Sequence, residues 1–299
     1  MWPFRRRRKP SKAFHWSPTP PPPTTYLDED GRRHRADAPY LLPKDDKEIQ
    51  RLDYQHFLFR HLLRGNTFAP VDELLKRGCT VLDVGCGTGR WGCEIATMYQ
   101  QTQVIGLDLE EIPRPACMPL NYHFQRGNVL SGLPFVTHHF AYVHQRVLVA
   151  AIPLDQWPFV IRELTRVTCP GGWIEVVEMG TTFHDAGPAT RQFLQWFRAI
   201  SATRGIDASY VSGLGPLFQR CGFCNVQAKT EIIPVGAWGG RVGNLLARDM
   251  LAGWPSMRPY AHTLLGVPPE TFDDILKELD DEWNRLHTRY EVYFACGQV

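Results

Sequence analysis

Val81-Leu-Asp-Val-Gly-Cys-Gly-Thr-Gly89 is the stretch that decides the fold. It begins as a short apolar strand with one acidic residue, Asp83, and continues into three alternating glycines, Gly85, Gly87 and Gly89. A helical pattern follows at once. Glycines are needed where the backbone turns sharply and approaches a ligand without a Cβ in the way. The first turn of the helix offers free N–H groups to that ligand. The stretch therefore predicts a strand–loop–helix binding site.

Two cofactors compete for this glycine loop. Gly87-Thr-Gly-Arg-Trp-Gly92 matches the GxGxxG pattern of nicotinamide dinucleotide sites, and Asp108 ends the next strand, where a carboxylate can accept both hydroxyls of a ribose. Asp83 disfavours the dinucleotide, because a carboxylate just before the loop repels a pyrophosphate. The same carboxylate suits a ligand with an ammonium group, such as the methionine end of S-adenosylmethionine. Arg90-Trp91 also adds bulk where a pyrophosphate needs the backbone close, so S-adenosylmethionine is favoured.

Short apolar strands alternate with helices on both sides of the loop. We predict strands at 80–84, 103–107, 122–125, 140–143 and 173–178, and helices at 71–77, 90–99 and 156–168. This alternation predicts an α/β fold, a doubly wound and mostly parallel sheet with helices on both faces. After Gly180 the alternation breaks, and helices are predicted at 189–203, 214–220 and, two or three more, within 241–287. Strands around 225–233 and 289–295 complete the pattern.

The quoted stretch is similar to motif I of the class I (Rossmann-like) S-adenosylmethionine-dependent methyltransferases, and the order of elements over 68–180 resembles their domain. The resemblance implies a methyltransferase with S-adenosylmethionine as cofactor, and a seven-stranded sheet whose last strand, 289–295, runs antiparallel. It implies that Asp108 binds the ribose and that Leu109 flanks the adenine. The cofactor-binding residues that it implies are Asp83, Gly85, Gly87, Gly89, Asp108, Leu109, Asn128, Val129 and His144.

Three further segments contribute to this resemblance. Gly127-Asn-Val129 matches the loop where the family often has an aspartate on the adenine amino group, and Asn128 can make a related hydrogen bond. Val143-His-Gln-Arg146 matches the segment after strand four, beside the methionine moiety. Cys169-Pro-Gly-Gly-Trp173 is similar to the Pro-Gly-Gly turn before strand five.

A narrower resemblance covers the lead-in to the core. Residues 40–56, Tyr-Leu-Leu-Pro-Lys-Asp-Asp-Lys-Glu-Ile-Gln-Arg-Leu-Asp-Tyr-Gln-His, resemble the segment that precedes the core in LaeA-like fungal methyltransferases and related bacterial enzymes of secondary metabolism. A helix is predicted over 45–64 from the residues themselves, because Asp45 or Asp46 can cap it and one face carries Ile49, Leu52, His56, Phe59 and Leu63. The resemblance implies that this helix covers the cofactor mouth. Tyr40, Arg51, Gln55 and His56 become candidate wall residues. A surface salt bridge for Arg51 and a core-edge position for His56 remain equally compatible with the sequence.

Methyl transfer from a sulfonium is an in-line displacement, so the protein mainly positions the donor and excludes water. A base is needed where the acceptor loses a proton. The candidates are His144, at the end of a strand, and His184, in the loop after strand five, where acceptor-binding residues occur. No carboxylate cluster suggests a metal. The helices after strands five and six are aromatic, which favours a small apolar or aromatic acceptor. The aromatic residues are Phe183, Phe193, Trp196, Phe197, Tyr210, Trp238, Trp254 and Tyr260.

Composition divides the chain into three parts. Residues 1–25 are predicted to be a disordered, basic, proline-rich arm, 26–67 a helical lead-in, and 68–299 the cofactor-binding domain with a helical annex at about 181–220 and 237–287. Residues 1–43 hold nine Lys or Arg and four Asp or Glu, whereas the remainder is mildly acidic and lacks the basic stripe of a nucleic-acid binder. No apolar run is long enough to span a bilayer, and a cytoplasmic location with reduced cysteines is expected.

Three interpretations remain open. The first is methyl transfer to an oxygen, nitrogen or carbon of a small metabolite. The second is a LaeA-like regulatory protein that acts through protein partners. The third is a relative that binds the cofactor without transferring methyl.

Overall fold

The computed structural model describes residues 24–110 and 118–299, which open with a small hairpin. β1 (Thr25–Leu27) pairs antiparallel with β2 (Arg33–Arg35), and the N–H of Gly31 closes the turn on the carbonyl of Asp28 at 2.9 Å. The sequence patterns predicted a helical lead-in here and missed this hairpin. Residues 1–23 of the predicted arm lie outside the described residues.

The described helices occupy nearly the predicted positions. They are α1 (Asp46–Leu63), α2 (Asp72–Arg77), α3 (Arg90–Met98), α4 (Trp157–Val167), α5 (Pro188–Ala202), α6 (Leu214–Arg220), α7 (Gly240–Gly253), α8 (Arg258–Leu265) and α9 (Pro269–Leu286). The carboxylate of Asp45 caps α1 by accepting the N–H of Glu48 at 3.0 Å. The predicted start of this helix is thereby explained.

Seven described strands form the main sheet. They are β3 (Thr80–Val84), β4 (Gln103–Asp108), β5 (Tyr122–Arg126), β6 (Phe140–Arg146), β7 (Thr168–His184), β8 (Cys224–Pro234) and β9 (Arg289–Gln298). Their order is β5-β4-β3-β6-β7-β9-β8; β9 pairs antiparallel with both of its neighbours, and the other pairs are parallel. The predicted seven-stranded sheet with an antiparallel last strand is confirmed.

Alternate residues along each strand bury against opposite layers, as the period of two requires. Val81 and Val104 pack with Trp91 and Ile95 of α3, whereas the next residues, Leu82 and Ile105, pack in the cluster formed with α4 and α6. Helices therefore cover both faces of the sheet, and the binding loops are left at the carboxyl ends of the strands.

Two predicted strand boundaries were wrong in an informative way. β6 continues through Arg146, so residues 143–146 lie within the strand and not after it. β7 begins at Thr168 because that residue pairs with Phe140, whereas Trp173 pairs with Tyr142. The Pro-Gly-Gly segment is therefore a wide irregularity within the pairing. It breaks the apolar pattern that the prediction relied on.

α1 and the helices after β7 and β8 close over one end of the sheet. Leu58 and Phe59 of α1 share a buried cluster with Leu246 and Met250 of α7 and with residues of β7 and β9. This arrangement places the lead-in helix beside the glycine loop. None of the described helices combines the length and the apolar character that a bilayer crossing requires.

Candidate cofactor and acceptor site

The glycine loop lies between β3 and α3 and is tied to the neighbouring strand. The N–H groups of Gly85 and Cys86 both donate to the carbonyl of Leu107, at 2.8 and 3.0 Å. Gly85, Gly87 and Gly89 have φ of 69°, 52° and 70°. That left-handed region is costly for residues with a Cβ, which explains why glycine stands at all three positions.

A cavity, here the loop cavity, opens directly over this loop. Eight of the nine predicted cofactor residues line it: Asp83, Gly85, Gly87, Asp108, Leu109, Asn128, Val129 and His144. Gly89 does not. A Cβ on Gly89 would lie 2.6 Å from the hydroxyl of Tyr122, and one on Gly92 would lie 2.4 Å from the same ring. The two glycines that complete the GxGxxG match therefore make room for a tyrosine, which weakens the dinucleotide interpretation.

Asp83 and His144 form the polar floor of the loop cavity. They are partners in the β3–β6 register, and Nδ1 of His144 lies 2.8 Å from Oδ1 of Asp83. The His144 ring also stacks on Trp91, with centroids 3.8 Å apart and 6° between planes. Within the described part of the chain, Oδ2 of Asp83 and Nε2 of His144 are buried without a hydrogen-bond partner. Two such orphaned atoms in one cavity wall match a polar ligand with an ammonium group.

Arg146 supplies a positive charge to the same cavity. Its Nη2 lies 3.1 Å from Nδ1 of His56, and its guanidinium lies 5.0 Å from the ring centroid of Phe59. No ion pair joins it to a carboxylate within residues 24–110 and 118–299. Burial, reinforced by the positive charge of Arg146, lowers the pKa of His56 to about 4. The neutral imidazole can then accept a hydrogen bond from the guanidinium, whose free edge matches a ligand carboxylate.

The far end of the cavity fits a nucleoside. Oδ2 of Asp108 accepts the N–H of Gly87 at 2.9 Å and fixes the loop, while Oδ1 lies 3.9 Å from Nζ of Lys44. Oδ1 of Asn128 accepts the N–H of Leu130 at 2.9 Å, so the amide NH₂ is the group left for a base. The end of the cavity with Asp108 and Asn128 fits the ribose and adenine of S-adenosylmethionine. The end with Asp83 and Arg146 fits its ammonium and carboxylate.

The lead-in contributes walls that sequence reasoning identified only in part. Tyr40, Gln55 and His56 line the loop cavity as expected. Arg35 and Lys44 also line it and were missed, although arginines cluster at 32–35 in the sequence. Arg35 donates to the carbonyl of Leu109 at 2.9 Å, so the hairpin braces the residue expected beside the adenine.

The surface salt bridge considered for Arg51 is wrong. Arg51 is 5% exposed; it donates to Oε2 of Glu48 at 2.8 Å and to Oδ1 of Asp249, on α7, at 2.6 Å. Burial acts to lower the pKa of Arg51, but the carboxylates of Asp249 and Glu48 outweigh it and raise that pKa well above its usual value. Arg51 is therefore a buried cation that joins the lead-in to the annex.

A second cavity, here the annex cavity, adjoins the first. Tyr40, Leu52, Gln55 and Val147 line both, so they form the junction between them. Most of the remaining walls come from α1, β7, α5 and α7 and from the residues that directly follow β6 and α7. Of the eight aromatic residues singled out in the sequence, Phe183, Phe193, Phe197 and Trp254 line the annex cavity. Trp196, Tyr210, Trp238 and Tyr260 do not, because they pack elsewhere.

His184 is not where the sequence suggested. It lies within β7, in register with Arg289 of β9, rather than in a loop, and its Nε2 lies 2.7 Å from Oε1 of Glu291. It lines neither the loop cavity nor the annex cavity. Of these two cavities, His144 lines the loop cavity, on the donor side of the junction.

One buried carboxylate beneath the junction was missed by sequence reasoning. Glu178 accepts the N–H groups of Leu148 and Val149, at 3.0 and 3.1 Å, and holds the turn that follows β6. Burial raises the pKa of Glu178 to about 7, against the opposing effect of these hydrogen bonds. The side chain of Leu148 lies so close to Gly85 that a Cβ on Gly85 would clash with it. Because Glu178 holds the backbone of Leu148, it positions the glycine loop indirectly.

Comparison with known proteins agrees with this geometry. A family model described as a methyltransferase domain matches residues 81–172. The chain is 31% identical over 275 residues to the methyltransferase str2 of Strobilurus tenacellus, covering 87% of this chain and 95% of that protein. It is 27% identical to the N-methyltransferase gliN of Aspergillus fumigatus (83% and 92% covered) and 27% identical to the secondary metabolism regulator LAE1 of Cochliobolus heterostrophus (74% and 74%).

Proposed function

The chain belongs to the class I S-adenosylmethionine-dependent methyltransferases, and from this membership we propose that it methylates a small, apolar or aromatic metabolite held in the annex cavity. S-Adenosylmethionine supplies the methyl group from its sulfonium. The observation that carries the proposal is the junction: an aromatic cavity opens onto the cofactor cavity through Tyr40, Leu52, Gln55 and Val147. Methyl transfer needs this adjacency, because the acceptor atom must approach the methyl carbon in line.

We assign the groups of the loop cavity accordingly. Asp83 and His144 bind the ammonium of the methionine moiety, Arg146 binds its carboxylate, Asp108 binds the ribose, and Asn128 binds the adenine. Leu109 and Val129 flank the base. The glycine loop gives the donor close access to the backbone. The helices after β7 and β8 form an annex that recognises the acceptor. The cytoplasmic location expected from the sequence stays a prediction.

Two neighbouring alanines provide the test. Ala150 lines the annex cavity and Ala151 the loop cavity, and both belong to the same turn after β6. Ala150→Phe is expected to abolish methylation of an acceptor and to leave the Kd for S-adenosylhomocysteine unchanged. Ala151→Phe is expected to weaken cofactor binding. Both are measured by calorimetry and by methyl transfer to a panel of aromatic metabolites. Normal turnover by Ala150→Phe contradicts the proposal.

A regulatory role is the second candidate, because the chain resembles the regulator LAE1 over most of its length. Deleting residues 1–23 removes none of the residues that the structure describes. A metabolite enzyme is expected to keep its turnover after this deletion. A regulator that recruits partners through that segment is expected to keep cofactor binding and lose its effect on secondary metabolism.

A further inference from the structure

The wall of the annex cavity contains a buried charged cluster, here the Asp249 cluster, made of Glu48, Arg51, Gln55 and Asp249. All four are at most 7% exposed. Arg51 pairs with both carboxylates, and Nε2 of Gln55 donates to Oδ2 of Asp249 at 3.1 Å. Two carboxylates and one guanidinium leave an excess of one negative charge, beside a cavity that is otherwise mainly apolar.

Asp249 also determines which way the Gln55 amide points. A carboxylate accepts hydrogen bonds and cannot donate them, so it must face the NH₂ of Gln55 and not the carbonyl. The carbonyl oxygen Oε1 is thereby turned away from Asp249. No donor to it is found within residues 24–110 and 118–299, and Gln55 lines both cavities at their junction. An oriented acceptor atom is thus presented where the methyl group passes.

We propose that the annex cavity takes an amine, and that the Gln55 carbonyl accepts the N–H of the nitrogen that becomes methylated while Asp249 holds the amide in this orientation. This inference rests on the proposed function and adds the class of acceptor. Gln55 is a substrate-binding residue in this scheme, and Asp249 is a positioning residue.

The charge movement of the reaction favours an amine at this place. A neutral amine nitrogen forms a bond to the methyl carbon as the carbon–sulfur bond breaks, and the electron pair of that bond stays on sulfur. The nitrogen keeps its proton and becomes a methylated ammonium. One positive charge therefore moves from the loop cavity into the annex cavity, towards the excess negative charge of the Asp249 cluster, where a low-dielectric wall strengthens the attraction.

Oxygen acceptors fit the same cavity less well. A phenol or an alcohol must lose its proton on attack, which calls for a base within reach. Asp249 is the carboxylate that lines the annex cavity, and its oxygens are already engaged by Arg51 and Gln55. His56 and His144 line the loop cavity instead. An amine that attacks in its neutral form needs no such base.

Three probes of one shape test the inference: tetrahydroisoquinoline, isochroman and tetralin, which differ at a single ring position (N–H, O or CH₂). Their Kd values are measured by calorimetry on the full chain loaded with S-adenosylhomocysteine. The amine is expected to bind at least tenfold more tightly than isochroman, because the amine alone can donate a hydrogen bond to the Gln55 carbonyl and, when protonated, carry the positive charge that the Asp249 cluster attracts. Equal binding of the amine and the ether by the wild-type protein overturns the inference, and this comparison needs no variant.

Variants then identify the group responsible. Gln55→Met keeps the length of the side chain and removes the carbonyl. Asp249→Asn lets the Gln55 amide reverse, because an asparagine NH₂ can donate to Oε1, and it removes the excess charge. Both are expected to bring the amine and ether Kd values within about threefold of each other. Gln50→Leu, on the exposed side of the same helix, is the control and is expected to keep the preference.

The outcomes separate this inference from the proposed function. A preference that survives Gln55→Met contradicts the inference. Binding of all three probes with equal affinity, abolished by Ala150→Phe, leaves the proposed function standing and removes the amine class. If none of the probes binds, the inference fails, and methyl transfer to the panel of aromatic metabolites by the wild type and Ala150→Phe decides the proposed function separately.

Discussion

Asp83 and His144 stand opposite each other on adjacent parallel strands, and their side chains meet at 2.8 Å while each keeps one buried polar atom unpaired. A pair that satisfied only itself would bury these atoms at a cost of about 1–3 kcal/mol each. A ligand that bonds to these atoms recovers that cost. The methionine ammonium is positively charged and donates three hydrogen bonds, so it can satisfy Oδ2 of Asp83.

The first prediction concerns this pair. Asp83→Asn removes the charge that faces the ammonium and is expected to raise the Kd for S-adenosylmethionine roughly 10- to 100-fold, because hydrogen bonds between charged groups contribute about 1.5–3 kcal/mol. His144→Phe keeps the stacking on Trp91 and loses the imidazole nitrogens, so a smaller increase is expected. Isothermal titration measures both. A wild-type Kd for Asp83→Asn would show that the ammonium binds elsewhere.

The second prediction separates two glycines of one loop. Gly87→Ala meets little protein, since its nearest neighbour, Leu52, lies at 3.5 Å, but its Cβ enters the loop cavity and is expected to weaken cofactor binding. Gly89→Ala collides with the Tyr122 hydroxyl and is expected to lower the free energy of unfolding by several kcal/mol. Both also carry the left-handed cost of about 1–2 kcal/mol.

A double variant checks the assignment. Tyr122→Phe removes the hydroxyl that the Cβ of Gly89→Ala would strike. The double variant is therefore expected to lose less free energy of unfolding than the two single variants lose in sum. Strict additivity in urea unfolding contradicts the steric explanation.

The difference between these glycines marks the limit of what the sequence predicts. The strand, loop and helix around Val81 to Gly89 follow from local patterns, and so does the placement of Asp108. The antiparallel last strand follows from the family resemblance. Tyr122, however, is distant in the chain, and only the packed sheet brings its ring against Gly89 and Gly92. The pattern therefore located the loop without saying which glycine faces the ligand.

The missed parts of the site share one physical cause. Arg51 and Asp249 are separated by most of the chain, and their pairing depends on how α7 packs against α1. Glu48, Arg51 and Gln55 of α1 are buried but polar, so the apolar stripe by which buried faces are read does not include them. His184 was misplaced because an apolar pattern interrupted by glycine and threonines hid the continuation of β7.

The third prediction concerns pH. The pKa of Glu178 is raised to about 7 in the folded protein, against an ordinary value of 4.5. Between these values the folded state binds more protons than the unfolded state, so this group adds stability at low pH and loses it as the pH rises through 7. Glu178→Gln is expected to remove this dependence. The free-energy difference between wild type and variant is therefore expected to be larger at pH 5 than at pH 8 in urea unfolding.

His56 supplies the opposite slope and hence a control. Its folded pKa of about 4 lies below the ordinary 6.5, so the unfolded state binds more protons in that interval and stability falls as the pH drops below 6.5. The free energy of unfolding of His56→Gln, measured relative to that of the wild type, is therefore expected to be higher at pH 5 than at pH 8. Slopes of the same sign for the two variants contradict the burial of one of these groups.

The last prediction concerns Val147, which lines both cavities at their junction with a φ of 52°. A β-branched residue in the left-handed region is strained, and such strain is found at functional sites. Val147→Ala removes the side chain but keeps the strain, whereas Val147→Gly removes both. Glycine is ordinarily the less stable replacement, because it gives the unfolded chain more freedom. Here the order is expected to reverse, with Val147→Gly the more stable of the two by about 1 kcal/mol.

Both Val147 variants widen the junction and are expected to slow methyl transfer while the Kd for S-adenosylhomocysteine changes little, since the cofactor's polar contacts are elsewhere. The decisive comparison is the order of the two unfolding free energies. A more stable alanine variant means that residue 147 is not left-handed in solution. Equal stability with normal turnover means that the strain does not hold the junction. A more stable glycine variant with impaired turnover shows that the valine side chain narrows the passage between donor and acceptor, and that the fold tolerates its strained backbone for that purpose.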